Sequence, residues 1–319
     1  MSAALAGINV LDFTLRLPGP LAGLMLARAG AGVVKVEPPE GDPLAWAMPG
    51  WGDAPATYEL LNRGKRVVRL DLKKPAERAE LEPLLERCDV LLEGFRPGVM
   101  ARLGLDYATL AQRNPRLVYC SLSGYGQSGA QARRAGHDLS YLAGSGLLSL
   151  LTSAQGEPIV PGVLLADVAA GAYPAFANVV LALFARERSG RGAYLDIALA
   201  RNLDPFTLGA RAGKLFSGGS PRYRCYRTRD GAWLAVAALE APFWREFCER
   251  VELDPALRDD ARDPAATAAE VARLIAARDA RDWNERLVPF DTCCALVAPL
   301  GVPATSIDLP LDPQLCVKE

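Results

Sequence analysis

The chain has a single histidine, His137, among 319 residues, and that scarcity excludes a metal centre built on several imidazoles. It has no CxxC pair. Its seven cysteines are scattered, and the adjacent Cys293 and Cys294 suit neither a zinc ribbon nor a mutual disulfide. Reduced, buried thiols in a cytoplasmic protein are expected. The first strand-to-helix turn, Arg16–Gly23, is not GxGxxG, and no GxxxxGK(S/T) occurs, which removes the usual sequence support for dinucleotide binding and P-loop hydrolysis. The N-terminus, MSAALAGINVLDF, lacks a charged n-region and a long apolar h-region, so no signal peptide is expected. The other end, CVKE, matches no address signal. An excess of one charge is also missing, since 36 Lys and Arg face 37 Asp and Glu. That balance argues against a general nucleic-acid binder, and no basic stripe interleaved with aromatics speaks for one. Lysine itself is scarce, six against 30 arginines, which reads as compositional bias rather than function.

What is present is ordinary for a soluble enzyme: 50% apolar and 23% charged residues. Short apolar runs at Ile8–Leu11, Val33–Val36, Val67–Leu70, Val90–Leu92 and Leu117–Ser121 alternate with helical patterns at Leu21–Arg28, Glu77–Arg87 and Tyr107–Gln112. Apolar strands joined by helices predict an α/β fold, a doubly wound parallel sheet of the Rossmann-like type. Residues 37–56 read as a long surface loop. Val163–Ala185 holds one ionisable residue, Asp167, and is long enough to cross a bilayer. Gly171, Pro174 and Asn178 interrupt it and no positive-inside pattern accompanies it, so a helix in a globular core is expected and no membrane partner. After Ser217–Pro221 the texture changes. Arg224–Thr228 and Trp233–Ala237 flank a hairpin turn, and amphipathic helices follow at Pro242–Val251, Ala265–Ala276 and Asp282–Leu287. This predicts a large α/β domain over 1–219 and a small α+β domain over 220–319.

Three residues stand out chemically. His137 follows Gly136, which permits an unusual turn, and precedes Asp138, which can cap the next helix. Imidazole is the side chain best suited to exchange a proton near neutral pH, although a structural or surface histidine is the plainer reading. Asp167 begins the long apolar helix, either as its N-cap or as a partly desolvated base or nucleophile, with the helix N-terminus steadying negative charge nearby. Glu240 closes the run Trp233–Leu239 and either starts a helix or orients the imidazole. Lys73, Arg96 and Arg102 follow predicted strand ends, where cations suit a phosphorylated ligand of a parallel sheet.

The segments GINVLDFT from Gly7, GVVKVEPP from Gly32, NRGKR from Asn62, EGFRPGV from Glu93, GYGQSG from Gly124, GHDLSY from Gly136 and SGRG from Ser189 resemble the family III CoA-transferase superfamily. Within it they are most similar to the α-methylacyl-CoA racemase branch, in one order from residue 7 to about 300. The resemblance implies an interlocked homodimer that binds acyl-CoA, with His137 and Asp167 as the catalytic pair and Glu240 as the acid partnering the histidine. It implies CoA contacts at Leu70, Asp71, Leu72 and Lys73, at Gly94, Phe95 and Arg96, and at Arg102. Further contacts fall at Gly136, Asp138, Leu139, Ser140 and Tyr141. Coenzyme A enters as part of the substrate, and no metal or separate cofactor is expected. In the transferase branch an aspartate at the position of Asp167 accepts the acyl group, and the histidine is typically absent. Pro38 stands where a racemase can place a CoA-binding Arg, and Val163 replaces an Asn. The family usually has further residues returning to the large domain, so a short variant, or one leaning more on its dimer partner, is expected. The leading expectation is an acyl-CoA racemase that exchanges the α-proton of a 2-methylacyl-CoA through an enolate. The alternatives are CoA transfer between carboxylic acids and a non-catalytic acyl-CoA-binding subunit.

Overall fold

The computed structural model describes residues 3–46, 52–153, 155–213 and 215–301. The chain divides into two compact units, with the break between Pro205 and Phe206. Phe216 packs edge-on against Tyr223, ring centroids 5.0 Å apart, which groups the residues just before the expected boundary with the second unit.

The first unit holds strands β1 (Asn9–Phe13), β2 (Gly32–Glu37), β3 (Arg66–Arg69), β4 (Val90–Glu93), β5 (Val118–Ser123) and β6 (Ala193–Ala198). They pair in parallel in the order β3-β2-β1-β4-β5-β6. Val10 lies beside Val33 and Val90, and Val90 beside Val118, all on one face. Leu11, Leu91 and Tyr119 line up on the other. Both faces are therefore buried, which is why these strands read as unbroken apolar runs. Leu24, Met25, Val179 and Leu183 from Pro18–Arg28 and Tyr173–Ser189 cover the first face. Leu85, Met100 and Leu110 cover the second.

Several expected elements differ in detail. The single helix over 77–87 is two short ones, Pro75–Ala79 and Glu82–Leu85, because Pro83 supplies no N–H to bond back across the junction. The loop over 37–56 ends in a helix, Ala54–Asn62, capped by Asp53, whose carboxylate accepts the Ala56 N–H at 3.0 Å. The long apolar helix opens as a π-helix, Leu165–Ala172, and becomes α only at Tyr173–Ser189. Pro174 cannot donate to Ala170, whose carbonyl instead accepts the Asn202 side-chain amide at 2.9 Å. By length and composition Leu165–Ser189 is the one candidate span among the described residues. Its core role is partial: Ala175, Val179 and Leu183 are buried, but Leu181 and Phe184 are 63% and 58% exposed. The thiol expectation is partial as well. Cys88, Cys120 and Cys248 are buried and free, whereas Cys225 and Cys293 are exposed; Cys316 lies outside the described residues.

Beneath the turn after β1 lie four fully buried charged side chains. Lys65 Nζ reaches Asp12 at 2.9 Å and the Pro20 carbonyl at 2.8 Å. Lys35 Nζ reaches Asp42 at 3.2 Å and the Thr14 carbonyl at 2.6 Å. Asp12 accepts the Thr14 N–H at 3.0 Å, and Asp42 accepts the Arg16 N–H at 3.0 Å. Gly23 makes room for this cluster, since a Cβ there would stand 2.9 Å from Lys65 Nζ. Residues 14–20 are thus held from below by charge-assisted hydrogen bonds.

The second unit holds an antiparallel sheet of β7 (Tyr223–Arg227), β8 (Trp233–Ala237) and β9 (Cys294–Leu296). Helices Ala241–Arg250, Pro264–Ile275 and Ala280–Leu287 pack Phe247, Val271, Ile275 and Trp283 against Leu234 and Val236. The predicted hairpin turn is present, with Gly231 at φ +85° and the Thr228 N–H donating to the Ala232 carbonyl at 2.9 Å.

Candidate functional site

The sheet of the first unit changes winding direction between β1 and β4, and ligands of such sheets bind beyond the strand C-termini at that point. Two cavities lie there, with Leu15 and Phe95 in the walls of both. The first, about 360 Å³, is lined by Thr14 and Arg16 after β1, Gly94 and Arg96 after β4, and Gly136, His137, Tyr141 and Asp167. The second, about 490 Å³, is lined by Glu37 at the end of β2, by Leu70, Asp71, Leu72 and Lys73 after β3, and by Arg102. The fold thus gathers most of the expected residues around one switch point. Asp138, Leu139 and Ser140 line neither cavity.

His137, not Asp138, is the N-cap of the helix Asp138–Gly144, with an extended backbone at φ −134°. Its N–H donates to Ser140 Oγ at 2.9 Å, and its carbonyl accepts the Ser140 N–H at 2.8 Å. Ser140 therefore serves the helix start. Gly136 is needed for close approach rather than for an unusual turn. Its φ is not positive, and a Cβ there would strike the Tyr141 ring. Tyr141 Oη donates to the Gly136 carbonyl at 2.7 Å. Burial and the negative charge of Asp167 push its pKa up to about 12, so it stays a donor.

Asp138 is buried, in the first turn of its helix, and its carboxylate accepts the Asp167 N–H at 2.9 Å. That bond ties the histidine segment to the π-helix. Asp167 is half-buried within the π-helix rather than its N-cap, which is Leu164. With the Asp167 N–H taken by Asp138 and the Val168 N–H by the Leu164 carbonyl at 3.1 Å, these two amides are not free to steady charge in the cavity. The Asp167 carboxyl is pushed up to about 6, first by burial and then by the nearby charge of Asp138. Such a group can hold or release a proton near neutrality.

Glu240 belongs to the second unit, as the N-cap of Ala241–Arg250, and its side chain makes no capping bond. Among the described residues Lys73, Arg96 and Arg102 pair with no carboxylate, so their charge is available beside the cavities. Sequence reasoning missed the Thr14–Arg16 turn, Glu37 and the bridging bond of Asp138. The first two lie just beyond predicted strands, a usable signal; the third depends on tertiary packing.

The model of CoA-transferase family III matches residues 5–302. The human α-methylacyl-CoA racemase is 40% identical over 255 residues, which cover 76% of this chain and 63% of that protein. The chain thus spans somewhat less than two thirds of that relative. A succinate–glutarate CoA-transferase of Agrobacterium fabrum is 35% identical over 98% of this chain and 82% of its own. Among solved structures, a hypothetical protein from Mycobacterium tuberculosis superposes with a TM-score of 0.83 at 29% identity, covering 94% of this chain and 87% of that one. A CaiB/BaiF family protein from Brucella suis gives 0.76 at 27% identity, covering 99% of this chain and 88% of that one. Racemases and transferases alike stand among the relatives, and with the family model matched along nearly its whole length, the chain belongs to CoA-transferase family III.

Proposed function

We propose that the protein exchanges the α-proton of a 2-methylacyl-CoA thioester and so inverts that carbon. One member of the His137–Asp167 pair takes the proton, and the C–H electron pair moves into the carbonyl as an enolate. The other member returns a proton to the opposite face, so the net proton count is unchanged. One observation carries this reading: an imidazole and a carboxyl lifted to about 6 line the same cavity at the switch point. The second cavity, with Lys73 and Arg102 in its wall, is proposed to take the nucleotide end.

The test is incubation with a 2-methylacyl-CoA in deuterated water. Deuterium should appear at the α-carbon, and His137→Ala should reduce its rate at least about 100-fold. An unchanged rate in His137→Ala would sink the pair. CoA transfer is the second reading, favoured by the 98% coverage by a transferase relative. Asp167 would then attack the thioester, releasing CoA thiolate and forming a mixed anhydride; the thiolate attacks its aspartyl carbonyl and expels the donor carboxylate, and the acceptor carboxylate repeats the two steps in reverse on the resulting aspartyl thioester, freeing Asp167. Passage of CoA to an added carboxylate without α-exchange would select it.

The proposed active form is a homodimer. Leu181 and Phe184, with Leu164 and Tyr173, leave apolar surface open along one helix, of the kind that subunit interfaces cover. Leu181→Glu with Phe184→Glu is expected to halve the mass measured by light scattering at micromolar concentration. A monomeric parent, or an unchanged mass in the variant, would refute this.

A further inference from the structure

Glu37 ends β2 and is 1% exposed, yet it lines the 490 Å³ cavity. One carboxylate oxygen, Oε1, accepts the Tyr58 hydroxyl at 2.8 Å. Burial and Glu37 itself raise the Tyr58 pKa, so that hydroxyl stays a donor. The other oxygen, Oε2, is buried without any hydrogen-bond partner. The facing cation, Arg69 Nε, stands 3.6 Å away, beyond hydrogen-bond reach, on a half-exposed side chain. A buried carboxylate oxygen left unpaired is unfavourable, and binding a donor there relieves it.

The remaining walls limit what the donor can belong to. Leu70, Leu72 and Phe95 offer apolar surface for a flat ring. Lys73 and Arg102 offer positive charge to a phosphate in the same cavity. Glu37 would repel a phosphate, so the group it faces is neutral. In sheets of this strand order, an acid following the second strand commonly receives a ribose hydroxyl.

We propose that Glu37 is a specificity-determining residue that reads the nucleoside end of the CoA ligand, its Oε2 accepting a hydrogen bond from a ribose hydroxyl or from the exocyclic amine of the base. This rests on the acyl-CoA reading above. Pro38, where the family resemblance places a cationic contact, leaves Glu37 as the polar group closing β2.

Titration calorimetry of the full chain with acetyl-CoA, its 2′-deoxy analogue and its hypoxanthine analogue tests the assignment without turnover. One analogue should bind about 10-fold more weakly than acetyl-CoA, and which one does so identifies the donor. In Glu37→Gln that discrimination should vanish. The Tyr58 hydroxyl retains the amide oxygen, so the amide NH₂, itself a donor, faces the ligand. A loosened fold weakens all three ligands alike and leaves the ratio unmoved. Equal binding of all three ligands by the parent, or discrimination that survives in Glu37→Gln, overturns the assignment. Failure of the parent to bind acetyl-CoA at all overturns the acyl-CoA reading first, and this inference with it.

Discussion

Asp167→Asn should lower turnover about 1,000-fold and at the same time make the folded protein more stable at pH 7. The loss follows under both chemical readings, because asparagine is neither base nor nucleophile. The gain follows from the carboxyl lying at about 6 in the fold against 3.8 for the free side chain, chiefly through burial. An acid whose pKa is higher folded than unfolded binds its proton more tightly in the folded state. Its penalty is absent below pH 3.8, grows as pH rises toward about 6, and is complete at pH 7. The shift corresponds to about 3 kcal/mol at most, less whatever solvent reaching this half-buried group screens away. Asparagine keeps the shape and removes the charge. Melting curves at pH 7 should rise for the variant, and the difference should shrink by pH 4. An unchanged or lower melting temperature at pH 7, or turnover within tenfold of the parent, would contradict the assignment of Asp167 as a desolvated reacting group.

The strands were legible because a sheet buried on both faces writes itself as apolar runs, and Val10, Val90 and Val118 pair as such runs should. The helix Asp138–Gly144 was equally plain, as were the hairpin and the three helices of the second unit. The π-helix was not, because its cause is distant: Asn202 takes the carbonyl that Pro174 leaves free. For the same reason Asp167 read as an N-cap when it is bonded through its amide to Asp138. Composition singled out His137 and Asp167, and the family resemblance paired them. Their common cavity depends on β4, β5 and the π-helix coming together, which no local pattern records. Lys35 and Lys65 sat inside the motifs that carried the resemblance, yet nothing about a lysine in a strand or a turn announces complete burial.

That buried cluster carries the largest expected effect on stability. Lys65→Met should cost about 3–5 kcal/mol, because removing one partner leaves Asp12 charged and buried. Burial alone would raise the Asp12 pKa, but Lys65 and then Lys35 outweigh it and hold it below the usual value. In the variant Lys35 remains, but the hydrogen bonds from Lys65 to Asp12 and to the Pro20 carbonyl are gone. The turn that lines both cavities loosens with them, so on the proposed function the Michaelis constant for acyl-CoA should rise in the residual folded protein. Adding Asp12→Asn removes the orphaned charge while keeping an acceptor for the Thr14 N–H, bonded at 3.0 Å in the parent. The double variant should therefore recover at least about 1 kcal/mol over Lys65→Met alone. Urea denaturation of the parent, both single variants and the double variant measures this coupling. A loss below about 1 kcal/mol in Lys65→Met, or strictly additive losses in the double variant, would mean that the pair fills space without holding the turn.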